Sequence, residues 1–153
     1  MSFKSNILNL ARIKYLKLVS HVEEKRMKWA YENQQIDDEF KLHWQSNSGK
    51  VKARHWANVN KVKVGELIIL CQNHREHGHK VTHIVEVIGD RPQQQGNKLV
   101  RLVKAIWIPK NGYEQAPMTK DVIGNQFSFR SGLLININCQ TIKLNQSLLN
   151  LLI

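Results

Sequence analysis

Between Glu66 and Ile88 the sequence reads ELIILCQNHREHGHKVTHIVEVI, two apolar runs joined by a short polar stretch that contains a glycine. The first run, LIILCQ, is too short for a core helix and is rich in branched side chains. The second, HKVTHIVEVI, carries the period-two alternation of a strand with one face buried. A polar connection, NHREHG, with glycine between two such runs specifies a hairpin. A hairpin this apolar cannot stand alone in water, so the rest of the chain must supply further strands to cover it.

Those strands are legible. RIKYLKLVSH alternates as a strand. Ser20 and Glu23 then form an S-x-x-E capping box, which predicts a helix over VEEKRMKWAYENQQ with Val22, Met27, Trp29, Ala30 and Tyr31 as its buried contacts. EFKLHWQ alternates again, with Phe40, Leu42 and Trp44 on one face and Lys41, His43 and Gln45 on the other. SNSGK breaks that strand into a loop, the basic segment after it leads to VKVGELIILCQ, and Gly65 marks a turn into the hairpin. After the loop DRPQQQGN, KLVRLVKAIWI is another alternating strand, ended by Pro109. DVIGNQFSFRSGLLININ is strand-like at its end, and Asn145 is a candidate cap for a short closing helix. The expectation is an α+β fold built on a curved or closed sheet of five to six strands with two or more flanking helices.

With 153 residues and 42% hydrophobic content the chain has material for one core, and residues 1–153 are read as one domain. No run of eighteen apolar residues occurs, and Arg12, Lys14 and Lys17 interrupt the early apolar stretch, which argues against a membrane span or a secretory signal and for a cytoplasmic protein. Cys71 and Cys139 lie inside apolar runs, where reduced, buried thiols are expected.

The hairpin also raises a question of chemistry, because Cys71 to His83 packs one thiol and four imidazoles into thirteen residues. His79 and His83 share a strand face but stand about 13 Å apart at about 3.3 Å per residue, whereas zinc holds its ligands at about 2 Å. His77 and His79, with Cys71 across the hairpin, are closer in reach. The spacing matches neither C-x-x-C nor a helical H-x-x-x-H, so the reading is a polar hairpin tip with facial histidines, and no metal or other cofactor.

Catalytic signals are sparse. Asp37 and Asp38 sit beside Glu39 in a turn, where exposed carboxylates are usual. No G-x-S-x-G, P-loop or G-x-G-x-x-G occurs. The expected class is therefore a non-catalytic binding domain. Two alternatives stay open: a small nuclease or hydrolase using Glu66 or Glu86 with a histidine, and a regulatory domain that binds an acidic protein surface.

Charge favours a polyanion. Twenty-three Lys and Arg stand against twelve Asp and Glu, a net +11, and KVKARHWANVNKVK carries Lys50, Lys52, Arg54, Lys61 and Lys63 with no acid. The same region, HWQSNSGKVKARHW, sets Trp44 and Trp56 either side of Ser46, Asn47 and Ser48. Tryptophan faces stack bases at about 1 to 3 kcal/mol each, and cations hold phosphates. Trp29 and Trp107 are expected in the core, while Trp44 and Trp56 fit pocket and core equally.

The run VKVGELIILCQNH followed by THIVEVIGD resembles the EVE domains of the PUA-like superfamily, relatives of YTH and ASCH domains. There a basic, Asn-rich stretch enters a strand that starts VGD and ends in histidine, and the next strand returns as an AEV-like run. Lys63, Val64, Gly65 and Glu66 match the first element, His74 its histidine, and Val85, Glu86 and Val87 the second. KYLKL stands where the family has an early YW pair. The resemblance implies a pseudo-barrel that binds DNA or RNA and reads a modified base in an aromatic cage. On that pattern Trp44 and Trp56 are cage residues, Ser46, Asn47 and Ser48 supply hydrogen bonds to the base edge, and the lysines with Arg54 hold the backbone.

Overall fold

The computed structural model describes residues 12–21, 23, 24, 26–44, 51, 53–123 and 134–136. Among the described residues seven strands form one mixed sheet: β1 (Ile13–Leu18), β2 (Glu39–Trp44), β3 (Leu67–His74), β4 (Gly78–Val87), β5 (Gln93–Gln95), β6 (Lys98–Trp107) and β7 (Leu134–Asn136). Helix α1 (Ala53–Lys61) precedes the β3–β4 hairpin, and a short α2 (Thr119–Ile123) follows β6. The strand order is β2-β6-β4-β3-β1-β7, with β5 folded back on β6. Among the described residues only β1 and β3 pair in parallel; the other neighbours are antiparallel.

The hairpin forms as its sequence specifies. β3 and β4 pair from Leu67 opposite Glu86 to His74 opposite Gly78, and Gly78 takes φ +82 to close the tight connection. Gly65 turns the chain into β3 with φ +90, its N–H bonded to the Val87 carbonyl at 2.8 Å. β3 is buried on both faces. Ile68 and Leu70 join Val85, Val87, Val103 and Ala105 in the main apolar cluster, while Leu67 and Ile69 are equally enclosed on the other side.

The sheet curls into a half-barrel, which brings its two ends together on the concave side. Tyr15 and Val19 from the β1 end share one cluster with Phe40, Leu42 and Trp44 of β2. Side chains alone join β1 to β2 among the described residues, because β2 pairs with β6 and β1 with β3 and β7. This junction is the seam of the half-barrel. Val59 of α1 and Val62 just after it plug the same concave cluster.

Two local expectations fail for tertiary reasons. The capping box at Ser20 and Glu23 does not open a helix: Glu23, Glu24, Arg26 and Met27 lie in turns, and the N–H groups of Glu23 and Glu24 donate to His21 Nδ1 instead. The β3 side chains claim the backbone of this segment. Gln72 receives the Ala30 N–H at 2.8 Å and donates to the Lys28 carbonyl at 2.6 Å, and the His74 ring bonds the Met27 carbonyl at 2.9 Å. Groups spent on the sheet are unavailable to an i to i−4 ladder. Conversely, the basic segment read only as leading into β3 contains α1. His55 and Val59 are its buried residues, four apart on one face, which is helical spacing.

Candidate functional site

A pocket of about 170 Å³ opens at the seam. Ser20 and His21, just past β1, form one side, His43 of β2 another, and residues 29–34 arch across with Trp29 and Tyr31 as walls and Asn33 and Gln34 as polar edges. Tyr31 holds φ +58, a left-handed conformation that a bulky side chain rarely adopts. Its two polar ends explain why it persists. The hydroxyl accepts the His43 N–H at 3.0 Å, and the carbonyl meets His83 Nε2 at 3.3 Å and the Tyr113 hydroxyl at 3.5 Å.

Behind these walls lies a continuous set of rings. Trp29 stacks on His74 with centroids 4.3 Å apart and on His77 at 5.9 Å, and tilts against Tyr113 at 5.6 Å. Tyr113 meets His83 at 5.4 Å, and Tyr31 packs on Phe40 at 4.8 Å. Burial pushes the His83 imidazole down to about 4, only partly opposed by its bond to the Tyr31 carbonyl. His43 also falls to about 4, first through burial and then through the like charges of Lys98, Lys17 and Lys41. At neutral pH both rings are uncharged, so they act as flat polarizable plates in a field set by lysines.

The residues singled out from sequence separate into three groups. Trp44 belongs to the core: it is 0% exposed on the inner face of β2, because alternation with Phe40 and Leu42 turns it inward, and no face of its ring is open to a base. His74 is likewise committed. Nε2 bonds the Met27 carbonyl, Nδ1 accepts the Glu76 N–H at 3.1 Å, and the ring is stacked on Trp29, so it braces the pocket wall instead of meeting a ligand.

Arg54, Trp56, Lys61 and Lys63 are exposed, the first three on α1. Trp56 keeps 38% of its surface in solvent, and its carbonyl accepts from the Asn60 side chain at 2.9 Å. Ser46, Asn47, Ser48, Lys50 and Lys52 lie outside the described residues, as do Cys139 and the closing helix read at Asn145.

The remaining candidates have structural partners. Glu86 pairs with Arg12 at 3.0 Å, and Glu66 accepts the Lys63 N–H at 2.7 Å. Cys71 is a buried free thiol pushed up to about 12 by burial, with a hydrogen bond to Thr119 opposing the shift. It faces Val81 across the hairpin, while His79 faces Asn73 and bonds Thr119 Oγ1 at 2.8 Å. Among the described residues no three His, Cys, Asp or Glu side chains gather as a metal set. Trp29 is buried as expected, yet it also walls the pocket. The sequence reading missed Tyr31 and His43 as site residues; the signal was the ring-rich spacing of Trp29, Tyr31 and His43 beside cationic Lys41.

Helix α1 owes its placement to two inward side chains. Arg101 donates to the carbonyls of Val59 at 2.9 Å and Val62 at 2.7 Å, and to Gly89 at 2.8 Å. The Tyr15 hydroxyl donates to the Lys61 carbonyl at 3.3 Å. Together they satisfy carbonyls left open at the helix C-terminus, where a cation is also favoured by the helix dipole. The opposite face of α1 is thereby held outward. No family model, curated protein or solved structure matches the chain.

Proposed function

We propose that this chain is a non-catalytic nucleic-acid-binding domain of PUA-like architecture that takes a base, plain or modified, into the seam pocket. The observation that carries the reading is the pocket between Trp29, Tyr31 and His43, with the field of Lys41, Lys98 and Lys17 felt at His43. Aromatic walls stack a base whatever its sequence, and lysines attract the phosphate backbone that comes with it. Asn33 and Gln34 offer both donors and acceptors to a base edge. The left-handed Tyr31 fits this use, since backbone strain concentrates where a site is preorganised. The outward face of α1, with Arg54, Trp56 and Lys61 and no acid in its first turn, extends the track for the strand. The resemblance to EVE domains points to the same division of labour, in which cations set affinity and a ring-lined pocket sets selectivity.

The test is a binding screen over single- and double-stranded oligonucleotides, with and without base modifications, as a function of salt. Replacing Lys41 and Lys98 with serine weakens binding to all sequences and flattens the salt slope by up to about two units, since each lost phosphate contact removes about 0.7 to 0.9. His43→Ala keeps that salt-dependent background but loses about 1 to 3 kcal/mol of base-dependent affinity. Absence of oligonucleotide binding at low salt, or variants that bind as the parent does, would overturn the reading.

A further inference from the structure

Of two buried donors on the concave face, one has a single long hydrogen bond and the other has none among the described residues. Lys17 is 3% exposed, and its ammonium reaches the carbonyl of its neighbour Leu18 at 3.3 Å and lies 5.0 Å from the ring centroid of Trp44. No carboxylate pairs with it among the described residues. Trp44 is 0% exposed, and its indole N–H has no hydrogen-bond partner among the described residues. A cation over the ring face uses the π-cloud and leaves the N–H at the ring edge unserved. Nearly all buried donors in folded proteins find an acceptor, so an unserved indole N–H beside an ammonium with one long bond and no carboxylate marks a place that an acceptor would suit.

The complement must accept hydrogen bonds and carry negative charge. One oxyanion beside the indole edge can reach both groups, because each N–H···O bond spans about 2.8 to 2.9 Å and the donors belong to one ring and the cation above it. The surroundings favour an anion. Lys17, Lys41 and Lys98 all act on His43, the residue next to Trp44, while one acid, Glu32, lines the adjoining pocket. The location favours entry as well, since Lys17 on β1 and Trp44 on β2 meet at the seam, where side chains alone join the strands among the described residues. Ser20 and His21, just beyond Lys17, line the base pocket.

We propose that the Lys17 ammonium and the Trp44 indole N–H form an oxyanion site at the seam that takes a phosphate group. The proposal rests on the nucleic-acid reading only for the source of that phosphate, a phosphodiester of a strand seated in the pocket or a free phosphate. A buried lysine without a carboxylate is a poor structural element and a good receiver for a phosphate, whose charge offsets its desolvation.

The experiment uses the full chain and two probes, inorganic phosphate and a short oligonucleotide, each against chloride at matched ionic strength. The readouts are the melting temperature and the Trp44 indole N–H resonance, assigned by its loss in Trp44→Phe. Phosphate is expected to raise the melting temperature and move the Trp44 signal. Lys17→Met, which fills similar space without charge, should fold and bind phosphate at least tenfold more weakly.

If phosphate acts through Lys17 while no oligonucleotide binds, the oxyanion site stands and the nucleic-acid reading falls. If the oligonucleotide binds wild type and Lys17→Met alike and the Trp44 signal stays still, the site is overturned and the nucleic-acid reading stands. A Trp44 resonance unmoved by either probe overturns the site whatever the variants do.

Discussion

Two cations sit on the concave face of this half-barrel, and they are buried to the same degree: Arg101 is 4% exposed and Lys17 is 3%. Neither has a carboxylate partner among the described residues. Arg101 nonetheless has three carbonyl acceptors between 2.7 and 2.9 Å, two of them at and just after the C-terminal end of α1. Lys17 has one longer bond to its own neighbour and the face of a tryptophan. The planar guanidinium fork fits an array of fixed carbonyls, whereas the ammonium is a compact charge that needs a close counter-charge or water. Equal burial therefore hides opposite roles. One cation completes the fold, and the other waits for a ligand or gives up its proton. Burial lowers the Lys17 amine to about 7.

The largest effect separates the two directly. Arg101→Met should cost about 3 to 5 kcal/mol in urea unfolding, because hydrogen bonds to a charged group contribute about 1.5 to 3 kcal/mol each and the end of α1 loses its partners. A loss under about 1 kcal/mol would break the contrast.

Lys17→Met should go the other way. The unfolded lysine titrates near 10.4 and the folded one at about 7, so between these values the unfolded chain binds more protons. Wild-type stability accordingly rises with pH above about 7, and the penalty of the buried charge is fully present below it. Measured from pH 7 to 9, wild type should gain up to about 2 to 3 kcal/mol relative to Lys17→Met. Parallel curves for the two proteins would show that Lys17 is not desolvated, and saturating phosphate should flatten the difference.

A smaller effect lies across the seam. His83 titrates at about 4 when folded and near 6.5 when unfolded, so the unfolded chain again binds more protons in that window and stability falls as pH drops from about 6.5 to about 4. The expected loss is about 1 to 3 kcal/mol, and His83→Asn should lack it. His43 responds to the cation itself. Lys17→Met removes one of the like charges that hold its imidazole down, so its NMR titration should move upward while that of His83 stays in place.

Trp56 should show the smallest change. It projects from the α1 face that Arg101 keeps outward, and Trp56→Ala should alter stability by about 0.5 kcal/mol or less while weakening oligonucleotide binding. Unfolding of that variant would mean that α1 is anchored by its outer face as well.

Local pattern was enough for some elements and misleading for others. The β3–β4 hairpin, the inward row Phe40, Leu42 and Trp44, and the long β6 follow from alternation and turn residues, because each signal is contained in a few neighbouring positions. The Ser20–Glu23 capping box carried an equally good local signal and did not form. Gln72 and His74, more than forty residues away, compete for the backbone atoms a helix would use. Helix α1 was legible in the spacing of His55 and Val59, but five cations in and around it and a neighbouring loop signal masked it.

By itself the sequence determined an α+β chain of several strands, an apolar central hairpin, a strong positive balance and rings placed near cations. These are properties of composition and short-range periodicity, and they survive any arrangement of the strands. Only the tertiary structure decided which rings and cations matter. Curling of the sheet brought β1 onto β2, and so turned Lys17 from an ordinary strand lysine into a buried ammonium over Trp44 and gathered Trp29, Tyr31 and His43 into one pocket. Parity along β1 puts Lys17 on the face of Tyr15 and Val19, but whether that face meets water or another strand depends on closure between residues far apart in the chain.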